Sequence, residues 1–352
     1  MLIINNCQLK QFYQECQNNK TIAIDTEFYW TKTYKAIPCL IQIANSKRAI
    51  IIDLITHRLD LIYLKKLLTN KDIIKVFHSG RQDIEIFYNL FNELPKNIFD
   101  TQIGVLPLGF KESSSLEKIC RQLLAIKINK EKQVIDWRVR PLTDGQINYA
   151  KNDVKYLILL YKKIIDKLNY IGRIEWIKEL HEKLICKNKY LNKETQAWKK
   201  VKFKPAYIYE LNILKKLSEL REIYALEKNI PPKRIFDDSK LIKLCKIQNK
   251  KEIETTISTL DKKLSNLILK VIDKEITDSN NKMKIFKMSN DQILKLKLTK
   301  ELLKIKSKEL NIESSLIANK QELEDLVLEK NNGLLSGWKY RVFGKDYEKI
   351  KL

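Results

Sequence analysis

Glycine is scarce in this chain, with eight residues in 352, so few positions can act as flexible hinges. Six cysteines (7, 16, 39, 120, 186 and 245) include no CxxC pair, which argues against both a zinc site and a disulfide scaffold. The three histidines, His57, His78 and His181, show no metal-ligand spacing. No apolar run approaches the roughly 18 residues of a membrane span. The opening "MLIINNCQLK" lacks the basic start and apolar stretch of a signal peptide. These absences point to a protein of the reducing cytoplasm with no membrane partner. No extended heptad seam is evident, so a monomer is expected.

What the chain has in excess is positive charge, a net +24. Attraction to phosphates is the commonest physical use of such an excess. An AT-rich coding sequence would also raise Lys, Ile and Asn together, so charge alone leaves nucleic-acid binding open.

Two carboxylates stand out in "TIAIDTEFYW" (21–30), where Asp25 and Glu27 end an apolar run. Alternation along a strand places them on one face and Thr26 on the other. Like charges desolvated side by side are costly unless a cation neutralises them. Otherwise they are solvated acids at a strand end.

Residues 1 to about 170 alternate apolar runs and helical patterns, the signature of an α/β domain. Strands are predicted at 20–25, 38–45, 48–53 and 73–77. The first three lie too close together for crossover helices, which implies an antiparallel meander within a mixed sheet. From about 171 only helical periodicity remains, interrupted at 229–240, 277–284 and 331–338. Small helical bundles are expected there, with boundaries at the basic stretch 199–205 and at 277–284. The domains expected are 1–203, 204–282 and 283–352.

Three further segments carry acids. In "FHSGRQDIEIF" (77–87) a strand end and a glycine turn open a helix with an apolar stripe at Ile84, Phe87 and Phe91. Asp83 leans to its buried side, or serves as a first-turn acid favoured by the helix dipole. In "PLTDGQINYAKNDVKYLILLY" (141–161), Thr143 and Gln146 have capping-box spacing. Tyr149 and Asp153, four apart, share a helix face. Asp100 in "NIFDTQIGVL" sits at a strand-to-helix corner, where an N-cap is the simplest reading.

Taken together, "IDTEF", "HSGRQDIEIF" and "YAKNDVKYL" resemble the three exonuclease motifs of the DEDD exonucleases, in their tyrosine-bearing branch. Within that branch the chain is similar to the ribonuclease D family, with "IFDTQ", "DWRVRPLT" (136–143) and "AWKKVK" (197–202) as further shared stretches. Residues 220–241 resemble the HRDC helical domain, and "LLSGWKYRVFG" (334–344) the end of a second, diverged copy. The chain departs from the pattern at "FYWTKTY" (28–34), with Trp30 and Lys32 where arginines are expected.

The resemblance implies a ribonuclease H-like (DnaQ-like) α/β exonuclease domain with a mixed β-sheet, followed by two small all-α HRDC-like domains. It implies a metal-dependent 3′→5′ exoribonuclease with two divalent ions, Mg²⁺ or Mn²⁺, held by Asp25, Glu27, Asp83 and Asp153. Tyr149 would orient the attacking water, because a phenol with a pKa of about 10 is a poor base at neutral pH. Substrate contacts are expected from Thr26, Phe28, His78, Gln102, Arg138 and Arg140, although Arg140 could equally pair with an acid near the helix start. The lysines of "LKLKLTKELLKIKSK" (294–308) would add affinity for RNA, or form an ordinary solvated face. RNA is the expected partner, with tRNA precursors foremost. A 3′→5′ DNA exonuclease with the same metal site, and a non-catalytic RNA-binding protein on a nuclease fold, are the competing readings.

Overall fold

The computed structural model describes residues 1–128, 136–187, 190–191, 193–247, 249–278, 283–285, 288–330 and 333–351. The turns expected at 277–284 and 331–338 therefore fall partly outside the described residues, at 279–282 and 331–332. The chain forms two compact units. One comprises residues 1–28, 38–186 and 288–352, and the other 29–37 and 187–287.

The first unit is built on a six-stranded sheet of order β1-β4-β3-β2-β5-β6. The strands are β1 (Leu2–Ile3), β2 (Thr21–Tyr29), β3 (Ile37–Ala44), β4 (Ala49–Asp53), β5 (Ile74–Phe77) and β6 (Ile98–Asp100). β3 and β4 are antiparallel, whereas β1 runs parallel to β4 and β5 runs parallel to both β2 and β6. The sheet is mixed, as the missing crossover helices required. The two-residue β1 is too short to leave a periodic signature.

Helices α1 (Asn6–Gln17), α2 (Ile62–Thr69), α3 (Arg81–Phe91), α4 (Thr101–Gly104), α5 (Leu116–Leu124), α6 (Asp144–Lys155), α7 (Leu157–Tyr170) and α8 (Ile174–Leu184) complete the α/β part. Ala23, Ala44, Val76 and Phe99 of the sheet share one core with Ile119 of α5, Leu157, Leu160 and Ile164 of α7, and Ile177 of α8. Ala23 and Asp25 have the same parity on β2, so Asp25 and Glu27 prolong the face that α7 covers. The stretch 141–161 is divided at Tyr156 between α6 and α7.

The last helices belong to this same unit. Helices Asn290–Leu310 and Lys320–Val327 and the segments after them enclose a core of Leu296, Leu303, Leu323, Leu334, Trp338, Phe343 and Tyr347. Leu106 and Trp176 of the α/β part complete that core. The indoles of Trp176 and Trp338 stack with centroids 4.5 Å apart. Arg173 donates to the carbonyls of Pro107 and Leu310.

The second unit is all-helical, with helices Ile208–Lys228, Asp238–Lys246, Lys250–Ile257 and Lys262–Thr277 around Ile213, Leu217, Leu241, Ile268 and Ile272. Val201, Trp198 and Phe203, from the stretch assigned by sequence to the first domain, pack into this core. Residues 29–37 join it too. The Tyr34 hydroxyl donates to Oε2 of Glu222 at 2.8 Å, and its N–H donates to Oδ1 of Asn229 at 3.2 Å. No helix among the described residues is long and apolar enough to cross a membrane.

Candidate active site

β2 delivers Asp25 and Glu27, and α6 delivers Asp153. One carboxylate oxygen from each lies within 4.8 Å of the other two. The sequence explains how α6 comes to be fixed there. Thr143 caps it by accepting from the N–H of Gln146, and the Gln146 side chain returns the bond to the N–H of Thr143.

Asp83 arrives from α3. Its Oδ1 accepts from the Thr26 hydroxyl at 2.5 Å, across 57 residues of sequence. It lies beside the trio rather than within it. The turn before α3 needs glycine at position 80, because a Cβ there would stand 2.5 Å from Cβ of Phe77. Asp100 secures the same turn, accepting from the N–H groups of Ser79 and Gly80 while it caps α4 through the N–H of Gln102. Its own N–H is held by Nε2 of the buried His181 at 2.7 Å, and that imidazole stacks on Phe99.

Electrostatics show how tightly these groups are gathered. Burial, then the charges of Asp83, Asp153 and Glu27, push the Asp25 carboxyl well above the usual range. Burial, then Asp153 and Asp83, raise Glu27 to about 8. Burial raises Asp83 to about 6, against the Thr26 hydrogen bond, which lowers it. Tyr149 hydrogen-bonds Asp153, and burial followed by the negative charges of Asp153 and Glu27 drives its phenol far above the ordinary value. Four acids and a tyrosine from β2, α3 and α6 thus feel one another.

This donor set fits a divalent metal. Hard cations take carboxylate oxygens, and a positive ion among Asp25, Glu27 and Asp153 would relieve the repulsion that raises their neighbours' pKa values.

The remaining expected contacts have definite neighbours. Thr26 is engaged with Asp83. Phe28 is half-buried on β2. His78 is half-buried, with Nδ1 2.9 Å from Oγ1 of Thr101. The amide of Gln102 donates to the Ser114 carbonyl. Arg138 pairs with Asp136 at 2.6 Å. Arg140 pairs with an acid, though with Asp53 at the end of β4 rather than one near the helix start, donating from Nε and Nη2 to both its oxygens at 2.7 Å.

Sequence reading passed over Asp53, His181 and the buried Trp137, whose ring lies against Tyr149. The signal for Asp53 was available. Like Asp25, it is an acid closing an apolar run, "AIIID".

Comparison with known proteins agrees with this geometry. Residues 2–169 match the profile of the 3′-5′ exonuclease family. The chain is 32% identical to ribonuclease D of Sphingobium indicum, over 98% of its own length and 92% of the relative's. It is 31% identical to ribonuclease D of Bartonella henselae, over 99% and 89%. The crystal structure of Escherichia coli RNase D, an exoribonuclease involved in structured RNA processing, superposes with a TM-score of 0.82 at 22% identity, covering 99% of this chain and 98% of that one. The chain belongs to the ribonuclease D family of 3′→5′ exoribonucleases.

Proposed function

We propose that this exoribonuclease shortens the 3′ tails of structured RNAs, tRNA precursors foremost, and releases 5′-nucleoside monophosphates. The observation that carries the reading is the meeting of Asp25, Glu27 and Asp153 within 4.8 Å, with Asp83 and Tyr149 close enough to perturb and be perturbed.

Asp25, Glu27 and Asp153 are the side chains that would hold a first divalent ion, with Asp25 shared toward a second and Asp83 assisting there from its seat on Thr26. Mg²⁺ or Mn²⁺, when bound as a pair, supplies an acidified water and charge neutralisation at the scissile phosphate. Tyr149 stays protonated, since its environment raises its pKa. Its role is therefore to aim the attacking water by a hydrogen bond, not to remove a proton. Phe28 and His78 are assigned to the terminal nucleotide, and Arg138 to a phosphate further along. The chain acts as a monomer in a reducing cytoplasm, a setting that suits its free cysteines.

The test compares 5′-labelled RNA and DNA of one sequence, in Mg²⁺ and in chelator. Stepwise, metal-dependent shortening of RNA in preference to DNA is expected. Preferential shortening of DNA would favour the DNA exonuclease, and no metal-dependent shortening of either would leave a binding protein.

A further inference from the structure

Arg140 lies three residues before the cap of the helix that carries Tyr149 and Asp153. Its guanidinium meets Asp53 at two points, a fixed fork that a lysine could not reproduce. Asp53 ends β4 with its side chain 3% exposed. Its oxygens also accept from the N–H groups of Ile55 and Thr56 and from the Thr56 hydroxyl. Burial opposes its ionisation, yet Arg140 and these donors outweigh it and hold the carboxyl down at about 2.

The third nitrogen of Arg140 turns back along the chain. Nη1 donates to the carbonyls of Trp137 and Val139, each at 2.8 Å. One side chain thus fastens the turn 137–140 to the end of a sheet strand. Trp137, 3% exposed, lays its indole against the phenol of Tyr149, with centroids 6.0 Å apart and planes at 35°.

We infer that the Asp53–Arg140 pair is a positioning device, which shapes this turn so that Trp137 braces the Tyr149 ring beside Asp153. The inference rests on Tyr149 being catalytic. The buried indole occupies one side of the phenol. A misplacement of about 1 Å at such a group can slow a reaction by about 10²-fold.

The experiment is a kinetic cycle on a single-stranded RNA oligonucleotide, using wild type, Arg140→Gln, Tyr149→Phe and the double variant. Arg140→Gln should lower kcat by on the order of 10²-fold with KM little changed. The double variant should be no slower than Tyr149→Phe alone, within about twofold, because both changes disable one group. Trp137→Leu should behave as Arg140→Gln does, and Trp137→Phe should recover part of the rate. A raised KM with kcat preserved would make Arg140 an RNA contact and overturn the inference. Losses that multiply in the double variant would overturn it too, while leaving the tyrosine reading intact. Full activity of Tyr149→Phe would remove both. Should Arg140→Gln lose its near-UV circular dichroism, the cycle is run with Trp137→Leu under the same criteria.

Discussion

The hydroxyl of Thr26 donates to the carboxylate of Asp83, so a strand residue on one side of Asp25 anchors an acid that arrives from a helix. That bond lowers the Asp83 pKa against the upward push of burial. Thr26→Val removes it, and the Asp83 midpoint should rise above about 6. The pH–rate profile should shift to higher pH, with apparent metal affinity down about 10–100-fold. An unchanged metal titration would mean that Asp83 needs no such support.

Asp25→Asn should abolish cleavage while RNA binding, measured by filter retention in chelator, stays within a few-fold of wild type. Asp25 has the most crowded carboxylate, with burial and three acids acting on it. Its neutralisation removes a metal ligand without removing volume. A near-normal rate would take Asp25 out of the metal site.

Tyr149→Phe should slow the chemical step by on the order of 10²-fold or more, the loss expected when a group that positions a reactant is removed. Single-turnover rates check this separately from binding.

The metal-free protein should respond to pH in a defined direction. Glu27 is raised to about 8 in the fold from about 4.3 in an unfolded chain. The folded state therefore binds the extra proton, and the stability this gives is complete below about 4.3 and lost as pH rises through about 8. Glu27→Gln should leave the Tm in chelator little changed at pH 4.5 and raise it relative to wild type at pH 9. The opposite trend in a melting series would show that Glu27 is ionised and compensated without metal.

Gly80→Ala tests the turn that aims α3. The added Cβ meets Cβ of Phe77 at 2.5 Å and its ring at 2.8 Å, and both belong to a buried side chain with little room to retreat. Overpacking of this kind costs about 1–3 kcal/mol. Denaturant melts should show that loss, and the shift of Asp83 should reduce activity beyond it.

The nuclease sheet and its acids were legible because each rests on a local pattern. Short apolar runs spaced too tightly for helices required a meander, and β3 with β4 forms its antiparallel part. Thr143 and Gln146 announced α6 by their spacing alone. Asp100 was read as a cap and is one, but its grip on the turn at Ser79 and Gly80 joins residues some twenty apart and has no local signature. Arg140 shows the same limit. Its partner lies 87 positions upstream, and only the folded sheet brings Asp53 to it. The helical half was harder to divide, because amphipathic periodicity shows that a face is buried without naming what it is buried against.

The stacking of Trp338 on Trp176 has a consequence for biosynthesis. The ribosome completes the nuclease sheet long before residues 288–352 emerge, and the 101 residues of 187–287 must be made in between. Until then Trp176 and Leu106 lack the neighbours that shield them, and the nascent enzyme carries an adhesive apolar spot. Loss of the final sixty-odd residues through a premature stop would leave that spot bare permanently, and chaperones and proteases would act on it.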